Sequence, residues 1–192
     1  MLDKKYLSEL KKHLLVYAEV RRDIIKSSDD ALHNAKRAIF AMHRDDMKEA
    51  TEKLDNSKKL LEGIMKKYSK HTETEEEGSF KAALEEYVEA TLFYQFLTNG
   101  KIGKVMGIKI PERSFVGGLC DVPGELYRYA IKSATEKNMK KVKECARMAE
   151  EITGELIEFN LTSYLRNKFD QAKMAAQKIE KVVYELSLRD TE

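Results

Sequence analysis

The stretch LSELKKHLLVYAEVRRDIIKSSDDALHNAKRAIFAMH occupies residues 7–43 and contains neither proline nor glycine. Its apolar residues recur three or four positions apart, as expected for one face of an α-helix. They include Leu7, Leu10, Leu14, Tyr17, Val20, Ile24, Ile25, Ala31, Leu32, Ala35, Ile39 and Met42. The pattern predicts one long amphipathic helix, with the polar run 27–30 (Ser-Ser-Asp-Asp) as the candidate place for a break or a cap.

The rest of the chain continues this helical pattern, since its only prolines are Pro111 and Pro123. Further helices are predicted at about 45–69, 79–98, 115–136, 139–160 and 163–188. Pro123 is expected to start or kink its helix, and Asn138 is a plausible N-cap. Residues 71–78 form a predicted loop, and residues 99–114 form either a loop or a short hairpin. The fold class is therefore all-α, a single domain over residues 1–192 built from six to seven helices.

Composition limits the function classes. The 35 basic and 33 acidic residues leave a formal charge of only +2, so no overall field marks a nucleic-acid-binding protein. Cys120 and Cys145 have no metal-type spacing, which argues against structural zinc and against a disulfide framework. No apolar run approaches the roughly 20 residues that cross a bilayer, and the first residues are too polar for an export signal. We expect a soluble, cytoplasmic protein with no membrane contact.

Several chemistries are disfavoured by residue spacing. The four histidines, at positions 13, 33, 43 and 71, form no metal-type pair, and each is expected at the surface or at its boundary. Gly100, Gly103 and Gly107 lack the strand-to-helix context and the lysine-serine/threonine ending of a phosphate-binding loop. Neither cysteine has a histidine nearby in sequence, so a thiol nucleophile is unsupported.

The informative polar residues are carboxylates in apolar surroundings. Glu86 and Glu89 are three residues apart and share a helix face, while Asp121 and Glu125 are four apart. Neighbouring carboxylate oxygens suit a hard divalent ion such as Mg²⁺ or Mn²⁺. Pairs of this kind are also common as solvated faces or as partners of lysine and arginine, so spacing alone leaves both interpretations open.

Several segments, in order along the chain, resemble the translin/TRAX family. In the first helix these are residues 22–24 (Arg-Asp-Ile) and 36–44 (KRAIFAMHR). Residues 86–90 (EYVEA) are similar to the family segment that carries two catalytic carboxylates. Residues 118–128 (GLCDVPGELYR) resemble a family helix, and residues 165–170 and 178–189 are similar to the last helix of translin. Together these motifs identify the chain as a family member, with the Glu86 and Glu89 pair placing it nearer the TRAX type.

The resemblance implies a helical bundle that assembles into a closed, hollow octamer and binds single-stranded RNA or DNA. In TRAX-type subunits it also implies a magnesium-dependent endoribonuclease. The implied catalytic and metal-binding residues here are Glu86, Glu89, Glu125 and Glu151. The family's third carboxylate, an aspartate, aligns with Gly154, and Glu151 lies one helical turn before it.

Substrate contacts are expected from basic residues of the first helix, since lysine and arginine neutralise phosphates. The candidates are Arg22, Lys36, Arg37 and Arg44. Tyr87 or Tyr94 could stack on unpaired bases, although a tyrosine at helical spacing also packs in cores.

Two other functions stay open at this point. Gly154 in place of the aspartate favours a non-catalytic shell that binds single-stranded nucleic acid without cutting it. The near-neutral charge and the long amphipathic helices also fit a structural interaction protein with no RNA affinity at physiological salt.

Overall fold

The computed structural model describes residues 2–69, 74 and 77–189. These residues form six α-helices and no strand, which confirms the all-α prediction. The helices are α1 (Lys4–His43), α2 (Met47–Lys67), α3 (Gly78–Asn99), α4 (Glu112–Thr135), α5 (Met139–Ile157) and α6 (Ser163–Arg189). Helix α1 packs on α2 and α3, and α4 packs on α3, α5 and α6. Within this part of the chain no helix is long and apolar enough to cross a membrane.

Helix α1 begins at a cap formed by Asp3, whose carboxylate accepts the backbone N–H groups of Lys5 and Tyr6 at 3.0 Å. The helix then runs without interruption through residues 27–30, so the predicted break there is wrong. Ser28 and Ala31 are fully buried in this stretch. The hydroxyl of Ser57 on α2 donates to the carbonyl of Ala31 at 2.8 Å. Small side chains thus let α2 pack closely on α1, and this packing outweighs the local tendency of Ser-Ser-Asp-Asp to end a helix.

Helix α4 begins at Glu112, about three turns before Pro123, so Pro123 does not start the helix. The proline lies inside α4 and is buried. It has no backbone N–H to donate, and the helix nevertheless continues to Thr135 because packing against three neighbouring helices supports it. A proline in an apolar helical pattern therefore marked an internal position here rather than a boundary.

The connection from 100 to 111 is an irregular loop and not a hairpin. Gly100 ends α3 with a φ of 68°, and its N–H donates to the Phe96 carbonyl at 2.9 Å. The side-chain amide of Gln95 then stabilises the loop through two hydrogen bonds to its backbone. It accepts the N–H of Gly103 at 2.8 Å and donates to the carbonyl of Lys104 at 3.2 Å.

The remaining helix boundaries agree with the sequence predictions within a few residues. The Asn138 cap is confirmed, because its side chain accepts the N–H of Lys141 at 3.1 Å. The predicted loop at 71–78 falls largely outside the described residues, and α3 begins at its last position, Gly78.

Helix α3 is the helix with the largest number of buried residues. Its buried residues point in every direction around the helix and include two glutamates, Glu85 and Glu89. Helix α4 approaches it closely at Gly117 and Gly118. A Cβ atom on Gly118 would lie 2.5 Å from the Glu85 carbonyl oxygen and 2.7 Å from Cβ of Val88. Only glycine permits this separation between the two helices.

Replacing Gly118 with alanine should therefore force α3 and α4 apart. We expect Gly118→Ala to lower the free energy of unfolding by about 1–3 kcal/mol, the usual cost of overpacking a core. Gly124→Ala on the same helix is the matched control, since its Cβ would meet nothing within 4 Å. The control should be neutral or slightly stabilising. Urea unfolding of both variants checks this, and equal stabilities would contradict the close packing.

Candidate carboxylate site between helices α3 and α4

Five carboxylates gather where α3 and α4 meet, and we call them the carboxylate cluster. They are Glu85, Glu86 and Glu89 on α3, and Asp121 and Glu125 on α4. Helical spacing places the members of each set within one turn. The close approach at Gly117 brings the two sets together, since a Cβ there would lie 2.6 Å from Cδ of Glu85.

Glu89 is the most unusual member, because its side chain is buried, with 8% of the residue exposed. Among the described residues it forms no hydrogen bond and no ion pair. Burial raises its pKa well above the ordinary 4.5, and the negative charges of Asp121, Glu86 and Glu125 raise it further. Lys168 opposes this only in part. A buried, unpartnered carboxyl is costly to ionise, so the site favours either a proton or a cation beside it.

Glu86 and Asp121 share this environment. Burial raises the pKa of both side chains, and Glu125 contributes to each increase. Lys36 reaches from α1 to 3.8 Å from the carboxylate of Glu86 and partly offsets the effect. Ionising all of these carboxyls together is therefore unfavourable.

Lys168 of α6 neutralises one side of the cluster. Its ammonium group lies 2.9 Å from Glu85 and also forms an ion pair with Asp121. Burial alone lowers the pKa of Lys168, but the hydrogen bonds with Asp121 and Glu85 raise it overall, so the charge is retained. The hydroxyl of Tyr164 donates to Glu85 at 2.7 Å. Glu85 and Asp121 are therefore engaged with Lys168. Glu89 has no partner among the described residues and Glu86 has only the 3.8 Å contact with Lys36, so these two carboxylates are the best placed for a ligand.

Glu125 is held between two groups. His43 at the end of α1 donates from Nε2 to its carboxylate, and Arg128 lies 3.2 Å away. The imidazole is fixed in turn by the ring of Phe93, with centroids 5.2 Å apart. His43 lies at the surface boundary, as expected, but its link to Glu125 was missed because the two residues are far apart in sequence. No local pattern signals such a pair.

The predicted carboxylates separate into two groups in the structure. Glu86, Glu89 and Glu125 lie together, whereas Glu151 is exposed on α5 and is not among the main charges acting on Glu89. The reason is the orientation of α5, which buries Ala149, Ile152 and Leu156 against the core. Glu151 is about 100° from Ile152 around the helix axis, and so faces solvent. Gly154 is exposed too, with open space around it.

The cluster fits a divalent cation by the chemistry of its donors, since carboxylate oxygens are the ligands that magnesium prefers. A cation would also relieve the repulsion that raises the pKa values of Glu86 and Glu89. In the part of the chain that the structure describes, however, no three His, Cys, Asp or Glu side chains are already grouped closely enough to hold an ion. The cluster therefore contains suitable carboxylate ligands, but their side chains would have to move closer together to bind a divalent cation.

A thiol nucleophile has no support here either. Cys120 and Cys145 are both free and buried. Burial raises the pKa of each thiol to about 12, so both remain protonated at neutral pH.

The predicted basic residues lie along α1 at different distances from the cluster. Lys36 reaches Glu86, as described above, while Arg37 is exposed. Arg44 pairs with Glu49 at 2.7 Å. Arg22 donates to the carbonyl of Ala18, and lies about 21 Å from Lys36 along the helix axis.

Neither tyrosine considered for stacking is exposed. Tyr87 is buried, with 4% exposed, and Tyr94 is half-buried with its hydroxyl 3.0 Å from that of Thr51. Both therefore pack in the bundle, which is the structural interpretation that the sequence had left open.

Comparison with known proteins is consistent with these features. A family model described as the translin family matches residues 19–190. An uncharacterized protein of Methanocaldococcus jannaschii is 28% identical over 163 residues, which make up 83% of this chain and 72% of that protein.

Solved structures show the same fold. AfC3PO superposes with a TM-score of 0.88 at 24% identity, covering 97% of this chain and 100% of its own. A complex of AfC3PO with duplex RNA gives 0.87 at 24% identity, covering 96% and 97%. Apo-NeC3PO gives 0.84 at 22% identity, with the same coverages of 96% and 97%.

The raised pKa of Glu89 makes stability depend on pH. The unfolded chain loses this proton near pH 4.5, before the folded protein does, so folding becomes less favourable as pH rises through the folded pKa. Glu89→Gln removes this loss. In EDTA, its free energy of unfolding should exceed that of the wild type at pH 7 and match it below about pH 4.5.

Urea unfolding across this pH range measures the difference. Glu150→Gln is the control, because Glu150 is an exposed glutamate of α5, and its profile should follow the wild type. Profiles of Glu89→Gln and wild type that run parallel at all pH values would show that the Glu89 carboxyl is not destabilised by its surroundings.

Proposed function

Because the chain belongs to the translin family, we propose that it is a cytoplasmic, oligomeric protein that binds single-stranded RNA and cuts it in the presence of a divalent cation. The observation that carries the proposal is the carboxyl of the buried residue Glu89, which has no partner among the described residues and lies beside Glu86, with Glu125 acting on both. Such crowding of carboxylates reduces stability unless a cation or a proton relieves it. Sites of this kind are typical of function rather than of packing.

Glu86 and Glu89 are the residues that would hold the cation, with Glu125 as the third donor from α4. A bound magnesium or manganese ion would supply an activated water and neutralise charge developing on the phosphate. Glu151 has no part in this proposal, because it faces solvent on α5.

The chain's own residues would position the substrate. Lys36 is half-exposed beside Glu86, so its ammonium group is available to a phosphate without leaving the site. His43 and Arg128 fix the orientation of the Glu125 carboxylate. Arg128 is itself half-exposed and can contact a second phosphate oxygen. Positioning and electrostatic complementarity would therefore supply most of the rate.

RNA binding is supported by likeness in fold to AfC3PO, for which a complex with duplex RNA is known. In this chain, Lys36, Arg37 and Arg44 place three basic groups along the end of α1 that adjoins the cluster. Arg22 is the fourth proposed phosphate contact, farther along the helix. Single-stranded DNA would present the same phosphates and is a further proposed ligand.

Assembly of identical chains, up to an octamer, is supported by the first half of α1. Leu7, Leu10, Leu14 and Tyr17 are exposed at heptad spacing, and the same register continues into the packed residues Ile24 and Ala31. An apolar helix face of this kind is stable in water when another helix covers it.

A second candidate function is binding without cleavage. It is favoured by Gly154 in place of the family aspartate, by the outward orientation of Glu151, and by the lack of a preformed three-ligand group among the described residues. The two functions differ in a single measurable property, cleavage.

Cleavage of a labelled single-stranded RNA, with magnesium or with EDTA, tests the proposal. We expect magnesium-dependent cutting by the wild type and a loss of roughly 100-fold or more in Glu86→Gln/Glu89→Gln. RNA affinity should be retained in this variant, because every lysine and arginine proposed to contact phosphate is unchanged. Glu150→Gln and Glu151→Gln are controls and should cut at the wild-type rate.

Binding without cutting by the wild type would establish the non-catalytic shell. The salt dependence of the RNA affinity, measured in parallel, distinguishes these two RNA-binding functions from a structural protein. Phosphate contacts weaken steeply as the salt concentration increases. Loss of cutting in Glu151→Gln would restore this residue to the catalytic set and contradict its assignment here.

A further inference from the structure

Phe40 is exposed in a part of the protein where other large apolar side chains are covered. Its neighbours Ile39, Ala41 and Met42 are buried, but 56% of Phe40 lies in contact with solvent. Among residues 24–43 of α1, all of which the structure describes, Phe40 is the one large apolar residue that is exposed. The ring therefore does not serve the core of the bundle.

The position of Phe40 relates it to the carboxylate cluster. Lys36 lies one turn before it and reaches Glu86 at 3.8 Å, and His43 lies almost one turn after it and binds Glu125. Residues at this spacing share one face of a helix. The ring of Phe40 is thus flanked on both sides by side chains that contact the cluster, and it lies at the rim of the site.

Arg128 of α4 connects the ring to the cluster directly. Its guanidinium carbon lies 5.5 Å from the centroid of Phe40, and its Nη1 atom lies 3.2 Å from Glu125. This contact is of the cation–π type and limits the freedom of the ring. An exposed aromatic ring next to arginine and lysine is the combination by which proteins bind a nucleobase and its phosphate together.

We propose that Phe40 is the stacking platform for one unpaired base of the RNA, adjacent to the phosphate that the carboxylate cluster receives. This rests on the proposed function and adds the subsite that selects single-stranded substrate. A base within a duplex has both faces covered by its neighbours, so it cannot stack on Phe40 without leaving the helix. An unpaired base can do so at little cost.

Fluorescence of 2-aminopurine, placed within a short single-stranded RNA, reports this stacking because the fluorophore is quenched against an aromatic ring. The full-length protein is titrated in EDTA, so that the RNA stays intact, and anisotropy of a separate end label reports binding. Phe40→Tyr retains an aromatic ring. Phe40→Leu keeps an apolar side chain without one. Phe159→Leu, at a phenylalanine 53% exposed beyond α5, is the matched control.

We expect quenching with the wild type, Phe40→Tyr and Phe159→Leu, and its loss with Phe40→Leu. Affinity for single-stranded RNA should fall roughly 5- to 100-fold in Phe40→Leu, as for loss of one stacked base. Affinity for a blunt duplex should change little. Because Phe40 is exposed, the variant should keep its thermal unfolding temperature.

Other outcomes separate the two proposals. If the wild type binds the RNA but Phe40→Leu quenches equally, the platform is overturned while RNA binding stands. If Phe40→Leu changes the mass measured by light scattering, Phe40 is a subunit contact and the platform is likewise overturned. If the wild type binds no RNA, both proposals fail.

Discussion

At the closest approach of α3 and α4, the hydrogen of Gly118 occupies the space where any side chain would meet the Glu85 carbonyl and Val88. This separation determines how near the carboxylates of the two helices come to each other. It also leaves Glu89 with little contact with water, since only 8% of that residue is exposed. Glu89 and Asp121 consequently lie in a medium where charges interact far more strongly than at a surface.

The five carboxylates then differ in the charged groups that neighbour them. Lys168 neutralises Glu85 and Asp121, and the resulting ion pairs join α3, α4 and α6. Glu125 is held by His43 and Arg128. Glu89 has none of these partners among the described residues, although only 8% of the residue is exposed. A fold maintained for packing alone would gain stability by placing an apolar residue there, which is why the site indicates function.

Helix α1 joins the site to the surface of the molecule. Its length of roughly 60 Å exceeds what the bundle covers, so one end packs while large apolar residues at the other end are exposed. The packed end carries Lys36, Phe40 and His43 on one face, directed toward the cluster. Binding of substrate and assembly of subunits would thus use opposite ends of one helix, and the rigid connection between them follows from its unbroken hydrogen bonding.

The sequence by itself determined the helical fold class, most helix boundaries and the Glu86 and Glu89 pair, because these depend on periodicity within one or two turns. It also indicated the translin family, which the family model confirms. Only the tertiary structure decided that α1 passes through residues 27–30, that Pro123 lies within a helix, and that Glu151 faces away. The tertiary structure likewise determined that Lys168, His43 and Arg128 contact the cluster. It also determined that Phe40 is exposed. Each depends on which surface of a helix its neighbours cover, and local spacing carries no information about contacts between residues distant in sequence.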